Sequence, residues 1–483
     1  MTGFKHSIIS GIFWQGLERI GSQGISFVIS IVLARLLAPK DFGVIALMMV
    51  FITLCNVVVD SGFSNALIQK KDATQADFCS VFFINIVIGL FLYGVMFIVA
   101  PWIAKFYDSP ELTKFLRVSS LTLVITSFSR VQQAYLNKNM MFYLSFRINW
   151  IALIVSGTTG IVMAYRGFGV WALIAQQLGN AVVQCILLWL LVKWRPQWRF
   201  DWSRAKALFQ FGWKFLASSF LDTLYNDIYS VLIGRIANLT ELGFYNRGKT
   251  IPALGMGTIS STVGSVLFPA FSQLQDDRPK MRELAKRGIR NIMFLVIPAL
   301  TLLCILAEPL VRILLTEKWL PCVIYLRLCC VTFFFWPLHS TNLQIISACG
   351  RSDVFLILEI IKKAQAAAVI LLTYRYGVVA MVAAGAAMGF VNFIENAWFN
   401  RKLINYAPWR QLWDILPMLI VAVVAGVGVY FGVRLADPPW LKLIAGGGVF
   451  MTLYIAVGWL FGQIPEDISM LAGRFVPMRK GTL

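Results

Sequence analysis

The stretch FCSVFFINIVIGLFLYGVMFIVAPWIA, Phe78–Ala104, runs for 27 residues without one charged side chain. A bilayer-crossing helix needs about 20 mostly apolar residues, so this segment reads as a membrane span. Segments of the same kind recur along the whole chain, at roughly 9–34, 42–67, 78–104, 115–137, 145–165, 169–192, 207–233, 242–270, 289–315, 321–347, 353–374, 378–400, 412–435 and 440–463. The connectors between them are short and leave no room for a soluble domain. Open sheets are impossible in lipid, and a barrel would need alternating ten-residue strands, which are missing. The expected fold is an all-α polytopic membrane protein of about fourteen transmembrane helices.

Composition agrees. Of 483 residues, 58% are hydrophobic and 14% charged, against about 45–50% and 25% in ordinary soluble domains. That excludes a soluble enzyme, a disordered chain and a nucleic-acid-binding domain. The net charge of +20 sits in short loops between apolar runs and points to membrane lipid as its partner. The eight cysteines fall almost entirely inside apolar runs, and the two histidines, His6 and His339, are far apart. No C-x-x-C pair occurs, so neither a metal site nor a disulfide framework is expected. Lys193, Arg195, Arg199, Arg204 and Lys206 crowd one connector, and Arg278, Lys280, Arg282, Lys286, Arg287 and Arg290 another. Placing both inside the cell puts both termini in the cytoplasm.

A duplication is legible. Ala34–Gly43 reads ARLLAPKDFG and Gly234–Gly243 reads GRIANLTELG, so at an offset of 200 Arg35 meets Arg235, Asp41 meets Glu241 and Gly43 meets Gly243. YRGFG at Tyr165–Gly169 echoes YRYG at Tyr374–Gly377. Two six-helix lobes in parallel repeat follow, residues 1–200 and 201–407, with two further helices and a cytoplasmic tail in 408–483. Parallel repeats of this kind mark transporters, with the substrate path between the lobes.

Ionisable residues inside spans are costly and face a cavity or a partner. Span 1 stacks Gln15, Glu18, Arg19 and Ser22 on one face, and span 7 carries Lys214, Ser218, Asp222, Tyr225, Asn226 and Asp227. Further embedded charges are Asp60, Arg130, Arg247, Lys249, Arg327, Glu359, Lys362, Lys363 and Glu395. The basic excess suits an anionic passenger. Arg19, Arg247, Lys249, Arg327, Lys362 and Asn226 are candidate cavity residues for cargo. Glu18, Asp60, Asp222 and Asp227 are candidates for a coupling proton or sodium ion, with no resident cofactor. Several could instead be structural: Lys214, Arg130 and Glu395 lie near span ends and can reach the interface, and Asp60 or Asp227 can pair with a basic neighbour. The glycines at Gly446–Gly448, and Gly428 with Gly432, sit in apolar spans and serve helix packing, not phosphate binding. No glycosyltransferase or hydrolase motif appears, so no enzyme is expected.

The start of the chain (ISGIFW, Ile9–Trp14; LARLL, Leu33–Leu37; Phe42-Gly43) resembles bacterial oligosaccharide flippases of the polysaccharide transporter family, in its colanic-acid-exporter-like branch. DSGFSNALIQKKD at Asp60–Asp72, VLFPAFSQLQDD at Val266–Asp277 and EKWLP at Glu317–Pro321 resemble the segments that end that family's second and eighth spans and its ninth connector. The resemblance reaches to about residue 400 and is specific for the family, not for the sugar. It implies translocation of undecaprenyl-diphosphate-linked oligosaccharide across the bacterial inner membrane, for lipopolysaccharide or exopolysaccharide synthesis, by alternating access through a two-lobed cavity. It implies membrane lipids as partners and polysaccharide polymerase machinery as a candidate one. Relatives place basic residues at the diphosphate, and Arg19 stands where the lipid II flippase also has a basic residue. A multidrug or metabolite extruder of the same superfamily is the alternative, and its cavity would be acidic.

Overall fold

A computed structural model describes residues 2–60, 62–70, 72–434, 438–463 and 465. The expected cytoplasmic tail lies outside the described residues, as does the side chain of Gln15. Every element among the described residues is helical: α1 (Thr2–Leu36), α2 (Pro39–Asp60), α3 (Phe63–Gln69), α4 (Gln75–Phe106), α5 (Leu112–Ser119), α6 (Leu121–Lys138), α7 (Phe142–Tyr165), α8 (Val170–Leu191), α9 (Trp202–Ile236), α10 (Leu239–Gln273), α11 (Arg278–Ile305), α12 (Ala307–Leu314), α13 (Cys322–Phe334), α14 (Trp336–Ala348), α15 (Ser352–Thr373), α16 (Val378–Ile404), α17 (Pro408–Arg434) and α18 (Pro439–Leu460).

Among the described residues, ten stretches are long and apolar enough to cross a membrane, which makes this a multi-pass membrane protein. The other expected spans, 115–137, 207–233, 242–270 and 353–374, coincide with α5–α6, α9, α10 and α15. These are the helices that carry Arg130, Asp222 and Asp227, Arg247 and Lys249, and Glu359 with Lys362, and their charges dilute the apolar runs. Several expected spans are broken in two. The break between α2 and α3 falls at Gly62, whose φ of +70° is left-handed and favours glycine. A side chain there would also overlap the carbonyl of Gly212 on α9.

The chain forms two compact units, residues 1–246 and 247–483. In the first, α9 packs against α2, α3 and α4, so the helix expected to open the second lobe falls within the first unit. The helix boundaries recur at the same offset of 200. α1 and α9 both span 35 residues, ending at Leu36 and Ile236, and α2 and α10 begin at Pro39 and Leu239. The two turns bring Gly43 and Gly243 together: a Cβ on Gly43 would overlap the Leu239 carbonyl, and one on Gly243 would overlap that of Pro39. Only glycine permits so close a crossing of two backbones.

The core of the first unit centres on α4, α6 and α8. Phe78, Phe82, Val131, Leu188 and Trp194 pack there. At its edge, Thr74 and Asp77 form a capping box for α4. The fully buried Asp77 carboxylate also takes Lys70 at 2.9 Å, with Arg204 at 3.8 Å. Arg204 in turn donates to Thr74 Oγ1 at 2.7 Å. These contacts fasten the connector before α9 to the end of α4.

Candidate functional site

Polar residues on α1 follow helical spacing. Glu18, Ser22 and Ser26 lie four apart, and Arg19 and Gln23 form a parallel row beside them, so all five share a face. With Asn149 and Leu153 of α7 and Asn180 of α8, they line a groove of about 490 Å³ in the first unit. Close packing of small residues aligns these helices: Ile29 of α1 lies over Gly157 of α7, and Gln176 Cβ of α8 lies 2.9 Å from where a Cβ on Gly160 would be.

A hydrogen-bond chain fixes the groove's acidic side. Asn149 Nδ2 donates to Glu18 Oε1, and Gln184 Nε2 donates to Asn149 Oδ1 at 2.6 Å. Asn180 Nδ2 donates to Ser156 Oγ at 3.4 Å. The Glu18 carboxylate is thus held by a neutral amide. Arg19, one residue on, is exposed and lines the groove. An exposed guanidinium among amide and hydroxyl groups, on a span helix, can receive an anionic group that apolar lipid cannot solvate.

The other expected site residues have their own settings. Asp60 ends α2 and accepts from Ser64 Oγ at 2.5 Å, across the α2–α3 break. On α9, Asp222 and Asn226 are exposed and Asp227 is half-buried. In the second unit, Arg247 is buried with its guanidinium 5.4 Å from the centre of the Trp319 ring. Lys249 is half-buried. Arg327 Nε donates to the Cys304 carbonyl at 3.2 Å, which satisfies one of the open carbonyls at the end of α11. Lys362 pairs with Glu359 one turn away, and Glu395 accepts from Gln365. The groove thus unites Glu18 and Arg19 with residues not singled out beforehand: Gln23, Ser26, Asn149 and Asn180. An isolated asparagine in each of two apolar spans was the available signal.

A helical bundle with a polar groove cut into its span helices is the architecture shared with solved membrane transporters. The fold matches the structure titled lipid II flippase MurJ, inward closed conformation, with a TM-score of 0.73 at 15% identity, covering 92% of this chain and 98% of that one. It also matches an inward-facing multidrug resistance MATE family transporter of the MOP superfamily, with a TM-score of 0.64 at 17% identity, covering 80% and 98%. Within that class, the chain belongs to the polysaccharide biosynthesis protein family, which residues 32–324 match. Similar proteins include the succinoglycan biosynthesis transport protein ExoT of Rhizobium meliloti, 26% identical over 65% of this chain and 63% of that protein. The teichuronic acid biosynthesis protein TuaB of Bacillus subtilis is 25% identical over 90% and 91%. The lipopolysaccharide biosynthesis protein WzxC of Escherichia coli is 23% identical over 72% of each chain.

Proposed function

We propose that this protein is a flippase that carries undecaprenyl-diphosphate-linked oligosaccharide repeat units across the bacterial inner membrane, for lipopolysaccharide or exopolysaccharide synthesis. It does so by alternating access through a cationic cavity, without catalytic chemistry of its own. Fourteen spans, arranged as lobes 1–200 and 201–407 with an added pair in 408–483, place both termini in the cytoplasm. The observation that carries this reading is the groove that exposes Arg19 within a span helix. Relatives named for succinoglycan transport and for lipopolysaccharide and teichuronic acid biosynthesis support the cargo class.

The physics fits such a cargo. A prenyl tail is as apolar as the bilayer and can stay in it, whereas a diphosphate and sugars cannot cross hydrocarbon unaided. Arg19 supplies charge-assisted hydrogen bonds in place of the diphosphate's water, and the groove's amides and hydroxyls do so for sugar hydroxyls. Moving about two negative charges outward gains roughly 4–5 kcal/mol per 100 mV, if the protein's cations stay in place. Arg247, Lys249, Arg327, Lys362 and Asn226 remain second-rank cargo contacts, because stacking, capping or pairing already engages three of these side chains. Glu18, Asp60, Asp222 and Asp227 are the proposed acceptors of a coupling proton or sodium ion, and polymerase machinery a proposed partner at the basic loops.

The test is leaflet accessibility of a lipid-linked oligosaccharide in vesicles with and without the protein. Headgroup transfer is expected only with the protein, and Arg19→Ala should slow it about tenfold or more, the loss of roughly 1.4 kcal/mol or more. Transfer unaffected by Arg19→Ala moves the cargo site elsewhere. Absence of transfer, with efflux of organic cations in its place, establishes the extruder instead.

A further inference from the structure

The corner between α16 and α17 is held by a buried polar knot in the second unit. Asn342 of α14 and Gln411 of α17 exchange amide hydrogen bonds, both 2.9 Å. Asn400 of α16 donates to the same Asn342 oxygen at 2.7 Å. Tyr406, in the connector, donates to Asp414 at 2.7 Å, and Lys286 of α11 pairs with Asp414 at 2.9 Å. Burial and the adjacent Asp414 carboxylate push the Tyr406 phenol far above its ordinary range, so it stays a donor. Asn405 turns the chain in the left-handed region, with φ +55°. These bonds tie α14, α16, α17 and the connector together, and a buried network of this density stiffens the corner.

What the knot leaves outside is a concavity of about 480 Å³, lined by Trp398, Arg401, Asn405, Trp409, Arg410 and Trp413 among others. The three indoles are 46%, 54% and 71% exposed, unusual for such large apolar rings unless lipid covers them, and tryptophan favours the headgroup level. The Arg401 guanidinium lies 5.5 Å from the Trp398 ring centre. Among the described residues neither Arg401 nor Arg410 is paired with a carboxylate, whereas Lys286 nearby is neutralised by Asp414. No acidic side chain lines the pocket. The same end of the unit carries the basic start of α11, since Lys286 and Met281 reach the α17 and α14 ends.

We propose that this pocket is a binding site for the headgroup of an anionic phospholipid, with its phosphate between Arg401 and Arg410 and its glycerol and upper acyl chains against Trp409 and Trp413. Two guanidiniums with no acid beside them favour a net negative headgroup over a zwitterionic one, whose ammonium they repel. Indole faces around the phosphate exclude water and strengthen those bonds. Exposed apolar rings distinguish a lipid from a free anion, which would gain nothing from them. The site is separate from the Arg19 groove and independent of which glycan is carried.

The test uses the full chain, purified in a neutral detergent and titrated with dioleoylphosphatidylglycerol, dioleoylphosphatidylcholine or inorganic phosphate while Tm is followed. Phosphatidylglycerol should raise Tm saturably and more than phosphatidylcholine at equal mole fraction. Arg401→Gln with Arg410→Gln should leave the lipid-free Tm unchanged and weaken the apparent affinity roughly tenfold or more. The paired change to lysine should keep most of it. Arg410→Gln alone, at an exposed position, should show part of the loss if the double variant does not fold. Equal stabilisation by phosphatidylcholine, undiminished affinity in the glutamine variants, or the same shift from phosphate alone would each overturn the assignment.

Discussion

Set side by side, α1 and α9 share one layout and distribute their polar and charged side chains differently. They share a length of 35 residues, an offset of 200 and the glycine crossing that follows. At matched positions, however, Arg19 faces Ser219, Ser22 faces Asp222, Ser26 faces Asn226 and Phe27 faces Asp227. α1 places both Glu18 and Arg19 in its groove, whereas α9 carries Lys214 and, farther along, Asp222 and Asp227. The backbone is constrained because Gly43 and Gly243 leave no room for change. The helix faces are not so constrained, and charge diverges there.

The turns that follow the two helices carry related caps. A full capping box has two reciprocal hydrogen bonds. After α1, the Asp41 carboxylate accepts from the Ala38 N–H at 2.9 Å. After α9, the Asn238 side chain accepts from the Glu241 N–H at 2.8 Å. The bond after α1 is the one made by the N3 side chain and the bond after α9 is one made by the N-cap side chain, so related caps are built on different residues.

The largest effect should come from the shared element. Gly43→Ala sets a methyl group against the Leu239 carbonyl and Gly243→Ala against that of Pro39. Neither backbone can yield, so each change should cost about 3 kcal/mol, at the upper end for overpacking. Thermal unfolding of the two variants should give similar losses. A loss in only one would show that the crossing is not a two-sided lock.

The diverged element should respond in function and not in stability. Asp222→Asn and Asp227→Asn are expected to leave cargo binding within about twofold and to flatten the dependence of transport on pH or sodium, as loss of the titrating group requires. Arg19→Ala should do the reverse: slow transport and leave its ion dependence intact. Vesicle transport across a pH and sodium series separates the two. Unchanged ion dependence in both α9 variants would remove α9 from the coupling step.

How far the sequence reached depended on the kind of information. Helix positions were legible because every apolar run maps onto one helix or two consecutive ones, and the offset of 200 was legible because a backbone crossing tolerates only glycine. The breaks at Gly62 and before Leu121 were not, since a hydropathy run does not register a local kink. Within the site, Glu18 and Arg19 announced themselves as charges in an apolar setting. Asn149, bonded to Glu18, did not, because a single neutral amide in a span carries no sign of its partner. The other engagements of Arg327 and Lys362 differ in the same way. The bond from Arg327 to the Cys304 carbonyl joins residues far apart in sequence and is visible only in three dimensions. Glu359 and Lys362, in contrast, already stand three apart on one helix.

The smallest effects separate the caps of the second repeat. α10 is capped by the Asn238 amide, which does not titrate, so Asn238→Ala should cost about 1 kcal/mol, the ordinary value of such a cap, at every pH from 7 to about 3. α9 is capped by Asp201, which accepts from the Ser203 and Arg204 backbone N–H groups at 2.9 and 3.3 Å. The Ser203 hydroxyl first, and then the Arg204 N–H, hold this carboxyl below its usual range. A depressed folded-state pKa gives stability that is present above the unfolded value of about 3.9 and is lost as pH falls through the folded one. The Tm difference between the parent and Asp201→Ala should therefore be full at pH 7 and shrink progressively below about pH 4. The difference for Asn238→Ala should hold. Parallel behaviour of the two variants would mean that Asp201 caps α9 through its shape and not its charge.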